Sequence, residues 1–79
     1  MVDERGPTPQ QLAEHLQNMR EDAGLSIEEL ARRAGLERDR VILIESGAIA
    51  QDLEELTRYA HGLGVPLSVV FRRWEHGLN

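Results

Sequence analysis

Four arginines, Arg32, Arg33, Arg38 and Arg40, crowd the stretch between Ser26 and Gly47. A guanidinium presents five N–H donors in a planar fork, so it can bridge the two acceptors of a guanine edge or of a phosphate. Ser46 and Gln51, close behind, add neutral donors of the kind that hold a nucleic-acid backbone without reading a base. This is the chemistry of recognition. It is opposed locally by Glu28, Glu29, Glu37, Asp39 and Glu45, which set −5 against the +4 of the arginines.

Catalysis finds less to work with. His15, His61 and His76 are scattered without the paired spacing of a metal site. There is no Cys, which removes thiolate ligands and disulfides together. No grouping of Ser, His and Asp and no Gly-rich phosphate loop is evident, so we expect no enzyme activity, no metal and no cofactor. A chain of 79 residues allows one domain, and one that buries only about 60–65% of its unfolded surface leaves little room for an enclosed cleft.

The net charge of −5 rules out strong long-range attraction to nucleic acid, so any binding must rest on local geometry. No apolar run approaches the roughly 18 residues of a membrane span, and the opening residues lack the charged-then-apolar layout of a secretory leader. A cytoplasmic protein with no membrane partner is the expectation.

Helices must position the arginines, because nothing in the chain alternates with period two. Residues 1–7 read as a flexible arm and 8–79 as a single domain. Thr8, Pro9 and Gln11 form a helix start, and Leu12, Leu16, Met19 and Ala23 line one face of a first helix over about 9–23, closed by Gly24. Ser26 and Glu29 form a capping box for a second helix, with Leu30, Ala31 and Ala34 inward and Gly35 at its end. A third helix over about 38–45 turns Val41 and Ile44 inward, with Glu37 as a weak cap, and Gly47 ends it.

Asp52 and Glu55 cap a fourth helix over about 53–62, with Leu53, Leu56, Ala60 and Leu63 as its stripe, and Gly62 and Gly64 loosen its exit. After Pro66, the residues Leu67, Val70, Phe71, Trp74 and Leu78 recur at helical spacing as an amphipathic tail. Ala31 and Gly35 meet the needs of two helices crossing at a tight turn, a small contact residue and a residue tolerant of positive φ.

The segment Leu25-Ser26-Ile27-Glu28-Glu29-Leu30-Ala31, then Ala34-Gly35-Leu36, Val41 and Ile44-Glu45-Ser46-Gly47, resembles the phage-repressor or XRE-type helix-turn-helix domain. The likeness runs from about Leu16 to Phe71. It implies an all-α, compact five-helix, lambda-repressor-like domain with its motif at about 26–47 and a C-terminal amphipathic helix. It further implies a sequence-specific regulator of transcription that binds double-stranded DNA as a dimer, with the third helix in the major groove. Ile27, Glu37, Ile42, Leu43 and Gln51 depart from the residues usual in that family.

On this reading Arg38, Asp39, Arg40, Ile42 and Leu43 face the groove, and Ser46 and Gln51 touch the backbone. Paired with Asp39 or Glu37, the arginines would instead make only a solvated helix face. Leu67, Val70, Phe71, Trp74 and Leu78 are the expected homodimer interface, and Arg20 is expected to brace the fold against an acidic residue such as Glu45. The alternative is a protein-interaction module that keeps the fold but uses Ile42 and Leu43 to anchor a protein partner.

Overall fold

The computed structural model describes the backbone of residues 9–47 and 52–78, and side chains for 10–47 and 52–72. It contains α1 (Pro9–Asp22), α2 (Ile27–Ala34), α3 (Arg38–Ser46), α4 (Leu53–Leu63) and α5 (Leu67–Leu78). The described residues form no strand, and none of their helices is long and apolar enough to cross a membrane. Thr8 and Gln51 lie outside the described residues.

Apolar side chains at helical spacing on each element converge on one core. Leu16, Leu30, Val41, Ile44, Tyr59 and Val70 are its largest fully enclosed members. α2 packs chiefly on α4, while α1 and α3 close the other side. The α2–α4 crossing is tight enough to require a glycine. A Cβ on Gly62 would lie 2.9 Å from Leu30 Cδ2, 3.0 Å from Ala34 Cβ and 3.1 Å from the Leu30 carbonyl. Gly62 is therefore an interior contact of α4 rather than part of a loosened exit, and Gly64, with φ 84°, is the residue that ends the helix.

Two stripes are shorter than their spacing suggests. Ala23 falls just past the end of α1 and is exposed, and Leu53 begins α4 with 69% of its surface in solvent. In both cases the residue sits at a helix end, where the helix has not yet met, or has already left, the core.

A buried polar network ties α1, α3 and α4 together. Arg20 donates from Nε and Nη2 to the two carboxylate oxygens of Glu45, at 2.7 and 3.1 Å, and from Nη1 to the Leu25 carbonyl at 2.7 Å. The two side chains are only 9% and 7% exposed. The Tyr59 hydroxyl adds a hydrogen shared between the Leu16 carbonyl, at 3.1 Å, and a Glu45 oxygen. The guanidinium is thus held above its ordinary pKa, mainly by its hydrogen bonds to Glu45, and burial followed by the bond to Glu45 pushes the Tyr59 phenol up. The expected Arg20–Glu45 brace is present, with Tyr59 as a third member that sequence did not single out.

Candidate nucleic-acid interface

α2 begins on a complete capping box. Ser26 Oγ accepts from the Glu29 amide and Glu29 Oε1 accepts from the Ser26 amide, each at 3.0 Å. The helix ends at Gly35, whose φ of 71° is a left-handed conformation that glycine adopts without penalty. Leu36 then donates its amide to the Ala31 carbonyl at 3.0 Å, closing the turn. Glu37 offers α3 no side-chain cap, so tertiary packing must hold that helix. Val41 and Ile44, with no exposed surface, sink one side of α3 into the core while Glu45 is fastened by Arg20.

The opposite side of α3 is open. Asp39, Ile42, Leu43 and Ser46 form its outward stripe, because residues three and four apart share a helix face. The Asp39 side chain is 90% exposed, and Ile42 and Leu43 are 37% and 38% exposed. A pair of β- and γ-branched side chains is therefore presented to solvent at the centre of the face. The Ser46 hydroxyl donates to the Leu43 carbonyl at 2.8 Å, which engages its single hydrogen within the helix.

The two arginines flank this stripe, each bound to a glutamate of a neighbouring helix. Arg38 Nε donates to Glu28 Oε2 at 2.7 Å, and Arg38 Nη1 lies 3.9 Å from Asp39. Both Arg38 and Glu28 are more than half exposed. Their mutual bond raises the arginine's pKa and lowers the glutamate's. On the other flank, Arg40 Nε donates to Glu55 Oε2. These closer partners stand ten and fifteen residues away in the chain; of the neighbours that sequence offered, Asp39 pairs with Arg38 only at the longer distance of 3.9 Å. Only folding of α2 and α4 against α3 brings them together. Arg32 and Arg33 are exposed on the back of α2.

α5 divides its expected interface residues differently. Val70 is fully enclosed in this chain's own core, so its side chain has no surface to offer a second copy. Leu67 and Phe71 are half-buried and pack against the same core. The side chains of Trp74 and Leu78 lie outside those described.

The family model for the helix-turn-helix domain matches residues 11–70, which span α1 to the first turn of α5. Solved structures share the architecture. The restriction-modification controller protein C.AhdI from Aeromonas hydrophila superposes with a TM-score of 0.74 at 28% identity, covering 80% of this chain and 96% of that one. The wild-type restriction-modification controller protein C.Esp1396I gives 0.82 at 20% identity over 94% and 96% of the two chains. The clp gene regulator ClgR from C. glutamicum gives 0.78 at 21% identity over 95% and 97%. At these last two identities the likeness is one of fold. No curated protein matches the sequence.

Proposed function

This chain belongs to the helix-turn-helix domain family, and we propose that it is a small cytoplasmic DNA-binding regulator of transcription, of the XRE type, that reads the major groove with α3. One observation carries the reading. α3 follows a left-handed glycine turn, is fixed from behind by Val41, Ile44 and the Glu45–Arg20 pair, and keeps its far side open. A rod anchored on one face and free on the other is the shape a groove accepts.

Asp39, Ile42 and Leu43 would meet base edges, the two apolar side chains against thymine methyls. Arg38 and Arg40 stand at the rims, where phosphates and the outer bases pass. Ser46 and Gln51 would position the backbone, Ser46 by rotating its hydroxyl away from Leu43. A homodimer through α5 would set two copies of α3 about 34 Å apart, one turn of duplex. Leu67 and Phe71, which keep part of their surface exposed, are the described residues that support such a contact; Trp74 and Leu78 join them by sequence spacing alone, and Val70 stays in the core.

Selection of random duplexes with the purified chain, followed by its mass in solution, tests both parts. A recurrent sequence recovered with twofold symmetry is the expected result. Recovery of no sequence above random duplex at low salt would overturn the reading.

A second reading has its own observation, the exposure of Ile42 and Leu43 side by side on a face whose arginines are already paired. Such a face suits a protein partner in which both side chains become buried. Replacing both by Ser should then abolish the partner's capture, while DNA selection stays empty.

A further inference from the structure

Arg38 and Arg40 look alike in sequence and differ in how their carboxylates are held. The Arg38–Glu28 pair lies in solvent, with side chains 57% and 60% exposed. Either partner can leave and be rehydrated, so Arg38 remains available to a phosphate. Glu55 is only 14% exposed beneath an Arg40 that is 42% exposed. One Glu55 oxygen accepts from Arg40 Nε, and the other, Oε1, is buried with no hydrogen-bond partner among the described residues.

The choice of partner is informative. Glu55 occupies the same position in α4 that Glu29 occupies in α2, three residues after a capping side chain. Glu29 reaches back to the cap amide. Asp52 caps α4 in the same way, accepting from the Glu55 amide at 2.7 Å, yet the Glu55 carboxylate is turned to Arg40. Were a phosphate to draw Arg40 away, that carboxylate would be left enclosed with neither oxygen satisfied, a costly state for a buried charge. The pair therefore has to persist on a duplex. A persistent neutral pair releases no counterion, whereas the Nη donors of the pinned guanidinium keep their direction.

Resting on the DNA-binding reading, we propose that Glu55 is a specificity-setting residue. It holds Arg40 as an aimed but charge-neutral donor, removing that arginine from non-specific attraction while keeping its directional hydrogen bonds for the selected sequence. Arg38, by contrast, supplies charge.

The test compares wild type, R38Q, R40Q and E55Q as full chains, with binding to one selected and one random duplex measured by fluorescence anisotropy across a salt series. R38Q should reduce the slope of log affinity against log salt by about 0.9, the value for one phosphate contact. R40Q should leave the slope on random duplex unchanged while reducing the preference for the selected duplex about tenfold, within the range of a lost base contact. E55Q frees the charge, so its slope should steepen by about 0.9 and its preference should narrow. An unchanged slope in E55Q, or a slope reduced by about 0.9 in R40Q, overturns the proposal. Should circular dichroism show E55Q or R40Q unfolded, the slope of the other decides; should both unfold, the R40Q/E55Q double variant, which removes the neutral pair whole, must keep the wild-type slope on random duplex, and a changed slope there overturns the proposal. A wild type that binds neither duplex overturns the DNA-binding reading and this proposal with it. A wild type that binds, with the slopes contrary, overturns only the proposal.

Discussion

The two faces of α3 use the same ionic chemistry to different ends. On the inner face, Glu45 meets Arg20 and Tyr59 with almost no water present; on the outer face, Glu28 meets Arg38 in the open. Both arginine bonds measure 2.7 Å, so distance does not separate them. Burial does. A desolvated pair cannot lose one member without stranding the other, whereas an exposed pair is replaced by hydration at little cost. The inner contacts are therefore structure, and the exposed Arg38–Glu28 pair a reserve of donors that a ligand can draw on.

Removing one member of the inner pair is the hardest test of this contrast. Arg20→Ala leaves the Glu45 carboxylate enclosed with, among the described residues, only the Tyr59 hydroxyl, and takes the donor from the Leu25 carbonyl. The expected loss is about 3–5 kcal/mol of unfolding free energy, a large part of the stability of so small a domain. Urea denaturation followed by circular dichroism measures it. A loss no greater than that of an exposed arginine would erase the distinction between the faces.

Gly62→Ala strikes the scaffold on which that inner face depends. A methyl group 2.9 Å from Leu30 Cδ2 and 3.1 Å from a backbone carbonyl must push α2 away from α4. Overpacking of this kind costs about 1–3 kcal/mol, although alanine is otherwise the better helix former. A stabilised variant in the same denaturation experiment would show that the crossing is looser than described.

Tyr59→Phe probes the third member of the network, with an expected loss of about 1–2 kcal/mol and a signature in pH. The folded chain keeps the phenol protonated at pH values where the unfolded chain, near the ordinary value of 10.0, has released it. This contribution is complete below about pH 10 and falls away as pH rises further. The sequence has no Lys or Cys and a single Tyr, so between about pH 10 and 12 this residue dominates side-chain titration. Wild type should lose stability over that interval, and the Phe variant should lose much less.

The helices were legible because their signals are local. Ser26 with Glu29, Asp52 with its following amides, and the glycines at positions 24, 35, 47 and 64 mark ends within a few residues of themselves. The Arg20–Glu45 brace was legible because both residues lie on helices whose facing sides were already set. Partners decided by how helices cross were not. Arg38 keeps its sequence neighbour Asp39 only at 3.9 Å and makes its close bond to Glu28 across the turn, and Arg40 binds Glu55 on another helix. Gly62 reads in sequence as part of a loosened helix exit because composition cannot reveal that Leu30 and Ala34 press against it. Tyr59 stood outside every apolar stripe, since its placement depends on a hydroxyl finding acceptors from two other helices.

Arg38→Ala is the smallest perturbation to the fold and the one that most directly sharpens the contrast. Its partner Glu28 is exposed and can be solvated where it stands, so thermal unfolding of the variant should match wild type within error. Binding should respond where stability does not, with weaker affinity for a selected duplex and a shallower salt dependence. The same chemical deletion would then destabilise the fold at position 20 and only weaken the grip on DNA at position 38. If Arg38→Ala instead lowered the melting temperature as Arg20→Ala does, the outer pair would be part of the scaffold, and α3 would have no reserve to offer.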